Sequence, residues 1–462
     1  MNTLINQHSI ANIGARLDRL PTTRSVWKLI VLLSLGYFFE LYDLLYTAYI
    51  VPGLVKSGVL SATTPGLFGT SGVASFIAAL FAGLFIGTAL AGFLADRFGR
   101  RPMFTWSLIW YTVANFIMAF QETAWGLNFW RLMVGIGIGA ELIVIGAYLT
   151  ELVPKEVRGR AFACGQAAGF TAVPVAAFLA YLLVPLQPLG IDGWRWVVLI
   201  GCHGALFVWW IRRELPESPR WLASKGRFAE ANEVLLNLEN KVRAESGQAL
   251  GALPLLSEQP VKQGQFSDLW RAPYRGRTML MIVFNVFQTI GYYGFASWVP
   301  TLLIQQGITV TSSLLYASLI ALAAPVGPLI GLWIADKWER KHVIIVTSLC
   351  ILVAGLLFSQ ASEMGLIVAL GVCMTLASNM LSYTYHAYQA ELFPTAVRAR
   401  AVGFVYSWGR FAAIFSSFMI AAVLRVAGVT GVFWFIGCAM LIIAVAIYLF
   451  GPKTRNIAVE SI

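Results

Sequence analysis

The sequence predicts an all-α membrane protein of twelve transmembrane helices arranged in two six-helix, pseudo-symmetric halves. Three observations carry this. Of the 462 residues, 58% are hydrophobic and 12% charged, against about 25% charged in ordinary soluble domains, and apolar runs long enough to span a bilayer recur along the chain. The chain is also written twice. GFLADRFGRRPM, starting at Gly92, returns as GLWIADKWERKHV, starting at Gly331, and Asp96/Asp336, Arg100/Arg340, Glu151/Glu391 and Arg158/Arg398 are each 240 residues apart. A constant offset over many positions marks a repeated unit. Finally, with the N-terminus inside, 28 of the 33 Lys and Arg fall in inner tails, inner loops or the inner ends of spans. This positive-inside bias accounts for the net charge of +11 without a nucleic-acid partner.

Taken in order, residues 1–25 form a polar cytoplasmic tail with Arg16, Arg19 and Arg24, and no cleavable signal is evident. The first half, 26–212, holds spans at 26–50, 68–93, 103–120, 127–150, 159–184 and 194–212. Residues 213–276 are a polar cytoplasmic linker, in which Arg227 to Arg243 alternates apolar and charged positions at helical spacing. The second half, 277–451, holds spans at 277–303, 312–335, 342–360, 365–389, 399–424 and 430–450, before a cytoplasmic tail at 452–462. The five cysteines lie in apolar segments without metal-ligand spacing and read as small hydrophobes. No metal helix or phosphate-binding loop is present, so the chain carries no signature of an enzyme or a cofactor. Paired motifs in two parallel halves are the pattern of a secondary transporter whose halves rock about a central site.

The repeated charges sit at inner span ends. Asp96, Arg100, Arg101, Glu151 and Arg158, with their counterparts Asp336, Arg340, Glu391 and Arg398, are placed to pair and to interact with helix dipoles. They serve as scaffold, and also as an inner gate that opens when the transporter turns inward. GFLADRFGRR, RLMVGIGIG, YLTELVPKEVRGRA, PESPRWL and GPKTRN together resemble the motif set of the major facilitator superfamily, in its sugar-porter, organic-ion and synaptic-vesicle-glycoprotein-2-like branch. The likeness covers nearly the whole chain and implies the fold, a multi-pass bacterial inner-membrane location and a monomer embedded in lipid. Two departures matter. The second copy, ADKWERK, lacks the usual glycine, and the seventh span reads NVFQTIGYYG in place of a tandem-glutamine sugar signature.

Charges present in one half only need a different explanation. Glu40, Asp43, Arg131, Glu141 and Arg410 stand opposite Leu280, Val283, Gly371, Leu381 and Phe170 in the repeat, and all five are intramembrane. A charge at the bilayer centre costs about 2.5–3.5 kcal/mol on insertion scales and marks function. Glu40 and Asp43, three apart, share a face of the first span; two close carboxylates resist joint ionisation, pointing to proton coupling. Asp43 and Arg131 fall at matching depth, so the sequence predicts that they pair. In the family resembled, a first-span acid and a fourth-span arginine take this role. Glu141 is either a titrating acid or a protonated donor joining two helices. Arg410 has no carboxylate within one turn and wants an anion; the alternative is a pair with Glu40. The stretch GRFAAIF resembles the matching span of bacterial nicotinate transporters and organic-anion transporters, where an arginine recurs.

Aromatic and amide residues at helical spacing complete the expected site: Tyr46 in the first span, Asn285, Gln288, Tyr292, Tyr293 and Trp298 in the seventh, and Asn379, Tyr383 and His386 in the tenth. The sequence thus points to proton-coupled uptake of a small organic monocarboxylate, with nicotinate-like aromatic acids favoured. The competing readings are a porter of neutral sugars, polyols or drug-like solutes, suggested by PESPRWL, and a non-transporting receptor on the same fold.

Overall fold

The computed structural model describes residues 12–61, 63–66, 72–204, 214–247, 250–251, 253, 265–335, 337–393 and 395–454. Asp336, the end of the expected sixth span (205–212) and most of the loose linker segment (254–264) lie outside the described residues. The fold is all-helical, with nine described helices long and apolar enough to cross a membrane. The remaining spans follow from three local reasons. Arg100–Ala119 is of spanning length but less apolar. The sixth span is described only over Gly193–Gly201. The eleventh and twelfth spans meet within Thr395–Phe450 at a kink on Gly428, whose φ of 64° is open to glycine.

The first span, Arg24–Lys56, is 33 residues long, about 50 Å at 1.5 Å per residue, so it overruns a hydrocarbon core of about 30 Å. Within its half it packs mainly on Arg158–Leu183, Ala124–Leu152 and Gly193–Gly201, while Gly72–Phe98 barely touches it. The fourth span packs on the second through glycines. A Cβ at Gly139 would meet the Leu84 carbonyl of the second span, and one at Gly135 the Leu80 carbonyl, so the repeated glycines of RLMVGIGIG let two backbones touch.

In the second half the seventh span stops at Ala296 and resumes as Val299–Gln305, with Pro300 in its first turn. The eighth divides into Val310–Ala321 and Val326–Ala335 around Pro325, which has no N–H to continue the ladder. Arg340–Phe358 and Met364–Glu391 follow. Phe93, Trp106, Phe116, Phe178 and Tyr448 are exposed, an outer apolar surface suited to lipid. The cysteines are unbridged; against the expectation of buried small hydrophobes, four are half-buried and Cys438 is exposed.

Two short helices, Pro219–Ser224 and Phe228–Ser246, lie in the polar linker and fasten to the first half. Glu217 accepts from the backbone N–H of Arg100 (3.1 Å) and Arg101 (3.2 Å), capping the third span. Gly99 makes the preceding turn at φ 104°, where a Cβ would collide with that carboxylate. Trp221 donates through Nε1 to the Asp96 carbonyl at 2.9 Å. A helix at residues 12–18 docks on the linker: Arg16 and Arg19 both reach Glu239, at 2.7 and 2.8 Å.

Candidate functional site

The inner-end motifs repeat in space as they do in sequence. Arg100 bridges Asp96 (2.7 Å) and Glu151 (2.8 Å), and Arg340 reaches Glu391 at 2.8 Å. Tyr148 donates to the Pro216 carbonyl and Tyr388 to that of Pro452 (2.9 Å), each tying a fourth or tenth span to the segment after its half. Arg158 meets Asp18 at 3.5 Å, and Arg398 donates to the Phe393 carbonyl at 3.0 Å. These pairs join elements of one half, so their geometry is that of a scaffold within each half rather than a clasp between the two.

A central cavity of about 110 Å³ lies between the halves. On the first span Tyr37, Glu40, Leu41, Leu44 and Leu45 face it, at i, i+3, i+4, i+7 and i+8. Leu142, Gln166 and Phe170 complete the wall on that side. Opposite stand Gln288, Thr289, Tyr292 and Tyr293 of the seventh span, Ser382, Tyr385 and His386 of the tenth, and Tyr406, Gly409 and Arg410 of the eleventh. Arg410 and its repeat partner Phe170 therefore line one cavity from opposite halves. Glu40 and Arg410 sit near the middle of their spans, at the expected depth of a transporter site.

Arg410 is 6% exposed. Its Nη1 donates to the Tyr293 hydroxyl at 3.1 Å and its Nη2 to the Tyr406 hydroxyl at 2.7 Å, with the guanidinium over the Tyr406 ring. Among the described residues no carboxylate forms an ion pair with it, and its Nε has no partner. Glu40 is 0% exposed, and among the described residues neither of its oxygens has a hydrogen-bond partner. The expected alternative, a closed Glu40–Arg410 pair, is thus not formed. His386 is exposed on the wall, with Nδ1 2.6 Å from the Ser382 carbonyl.

The other unrepeated charges lie inside the first half. Arg131 does not pair with the Asp43 carboxylate. Its Nη2 donates to the Asp43 backbone carbonyl at 2.7 Å and to Thr47 Oγ1, its Nη1 to the Tyr46 hydroxyl at 2.7 Å, and its plane stacks on the Tyr46 and Phe76 rings. The guanidinium fork fits three oxygens of one helix face, which a single carboxylate would not satisfy. Tyr46 passes the chain on to Asn115 Oδ1 at 2.6 Å. Asp43 also departs from the shared face expected with Glu40: Glu40 lines the cavity, whereas Asp43 turns toward Asn115 and Arg131. Glu141 is buried beside the Tyr111 hydroxyl, and neither of its oxygens has a sound hydrogen bond.

Of the residues expected to contact substrate, Gln288, Tyr292, Tyr293, His386 and Arg410 come together at the cavity. Asn379 lines a smaller, adjoining space of about 50 Å³ next to the breaks in the seventh and eighth spans, with its Nδ2 on the Ala324 carbonyl at 3.1 Å. Asn285 is buried beneath, bonded to Gln389 at 3.0 Å. Tyr383 packs against Gly331 of the eighth span, Trp298 borders an outer groove, and Tyr46 serves Arg131. Tyr406 was missed, although it lies four residues before Arg410 and so on the same helix face.

The family described as sugar (and other) transporters matches residues 29–462. The chain belongs to this family of the major facilitator superfamily. The transporter is 32% identical over 460 residues to the inner membrane metabolite transport protein YdjE of Escherichia coli, covering 97% of this chain and 98% of that one. It is 27% identical to the niacin transporter NiaP of Acinetobacter baylyi, covering 98% and 99%. Among solved structures, a D-xylose–proton symporter superposes with a TM-score of 0.72 at 20% identity, over 94% of this transporter and 99% of that chain. The fold is therefore that of a multi-pass membrane transporter, and its relatives are transporters rather than enzymes.

Proposed function

We propose that this transporter takes up a small organic monocarboxylate together with a proton, and that its substrate is an aromatic acid of the nicotinate kind. The observation that carries this is Arg410: a buried, permanently charged group on the cavity wall, held open by two phenols and left without a carboxylate. A guanidinium so placed offers a fork to an incoming carboxylate and forms a charge-assisted, two-point pair with it. The cavity of about 110 Å³ approaches the ~150 Å³ that admits a benzene ring, and Tyr292, Tyr385 and Phe170 supply faces for one. The likeness to a niacin transporter supports the same substrate class. Proton coupling is supported by three buried carboxylates, Glu40, Asp43 and Glu141, of which none has an ion-pair partner among the described residues.

In this reading the halves at 26–212 and 277–451 rock about the cavity, the linker helices Pro219–Ser224 and Phe228–Ser246 travel with the first half while Phe266–Trp270 packs on the second through Phe404, and both tails face the cytoplasm. The protein works as a monomer. A neutral sugar or polyol is the second reading, favoured by the amides Gln166 and Gln288 on the wall. Counterflow in liposomes separates the two. External nicotinate should exchange with internal nicotinate, and an inward pH gradient should concentrate it. Exchange of xylose or inositol but of no monocarboxylate would overturn the proposal.

A further inference from the structure

We propose that Glu40 is the proton site coupled to substrate, because it shares one cavity with Arg410: an anion docked on Arg410 draws a proton onto Glu40, and the two are carried as a neutral pair. The inference rests on the reading of Arg410 as the anion site.

The groups around Glu40 are Tyr37 on its own helix, Tyr111 and Glu141 from the third and fourth spans, and Tyr293, Tyr385, His386, Tyr406 and Arg410 from across the cavity. Arg410 is the one permanently charged cation in that set. Before an anion arrives, its charge is what compensates the Glu40 carboxylate, neither of whose oxygens has a hydrogen-bond donor among the described residues. A substrate carboxylate takes that compensation away. Glu40 would then face a second anion across a small space, with the Glu141 carboxyl also nearby. Arg131 offers no relief, because its fork is spent on a carbonyl and two hydroxyls. A proton taken up from solvent onto one Glu40 oxygen removes the like-charge contact. Asp43 and Glu141 are less suited, because their carboxylates do not line the cavity. Coupling then needs no relay between distant sites, since substrate and proton compete for and against the same two charges.

Proton counting on the purified full-length protein tests this. Nicotinate and benzoate are titrated calorimetrically in buffers of different ionisation enthalpy, with nicotinamide as the neutral control. The wild type should take up about one proton per acid bound, with affinity falling about tenfold per pH unit on the alkaline side. Glu40→Gln should bind nicotinate with no proton uptake and with pH-independent affinity, and Glu40→Asp should keep the uptake with a shifted midpoint. Undiminished proton uptake by Glu40→Gln, or an unmoved midpoint in Glu40→Asp if the amide variant does not fold, would overturn the assignment and leave the anion site standing. If nicotinamide binds the wild type as well as nicotinate does, or neither acid binds, the anion reading itself fails and this inference with it.

Discussion

Replacing Glu239 by Gln should release the N-terminal helix at residues 12–18 from the linker. Glu239 is 4% exposed at the side chain and accepts three charge-assisted hydrogen bonds, two from Arg16 (3.0 and 2.7 Å) and one from Arg19 (2.8 Å). Each such bond is worth roughly 1.5–3 kcal/mol when fully buried. The arginines are 17% and 18% exposed, and solvent screening brings an exposed pair to about 1 kcal/mol or less. A total of about 2 kcal/mol is therefore reasonable, or about thirtyfold in the docking equilibrium. Burial pushes the Glu239 carboxyl up, but the hydrogen bonds and charges of Arg16 and Arg19 outweigh it and hold the group below the usual carboxylate range. A depressed value means that the stabilisation is fully present above the unfolded value of about 4.3 and disappears as pH falls through the folded one. Hydrogen exchange read by mass spectrometry, corrected for intrinsic rates, should show residues 12–25 slow in the wild type down to about pH 4.5 and faster below. In Glu239→Gln they should exchange about thirtyfold faster near neutral pH, while the interior of Phe228–Ser246 stays protected. No acceleration at residues 12–25, or equal acceleration throughout the linker, would refute this account of how the segment is held.

Further expectations follow from the same geometry. Gly135→Val should lower thermal stability sharply in detergent, because its side chain would enter the backbone of the second span at Leu80; a midpoint within 2 °C or so of wild type would argue against the close approach. Tyr46→Phe removes one of the hydroxyls that Arg131 uses and should cost about 1.5–3 kcal/mol in a denaturant titration; an unchanged midpoint would return Arg131 to the Asp43 carboxylate. Glu217→Ala should fray the third span at Arg100 and Arg101 by about 1 kcal/mol, seen as faster local exchange, whereas unaltered protection there would show that the cap contributes nothing.

Much of the architecture was legible because the bilayer writes it in composition: spans, the repeat at 240 residues and the basic inner loops all follow from solvent and chirality. The repeat also singled out Arg410 as a cation the shared fold does not require, and the structure places it at the cavity. What was not legible depends on rotation and tilt. Spacing says that Glu40 and Asp43 are near each other, but not that the cavity wall passes between them. It brings Asp43 and Arg131 to one depth, yet a backbone carbonyl and two hydroxyls compete for a guanidinium as well as a carboxylate does, and side-chain patterns do not display carbonyls. Tyr383 follows the right helical phase for its segment and Trp298 comes just above the seventh-span set, but the breaks at Ser297 and around Pro325 re-aim what lies beside them. Pro300 and Pro325 were the available warning.

The most direct test of the account titrates nicotinate and nicotinamide into the wild type, Arg410→Ala and Arg410→Lys. Two charge-assisted hydrogen bonds should make the acid bind about a hundredfold more tightly than the amide in the wild type. Arg410→Ala should erase that preference and Arg410→Lys keep only a fraction of it, since an ammonium lacks the fork. Equal affinity of acid and amide for the wild type, or an acid preference that survives Arg410→Ala, would contradict an anion site at Arg410 and favour a neutral substrate.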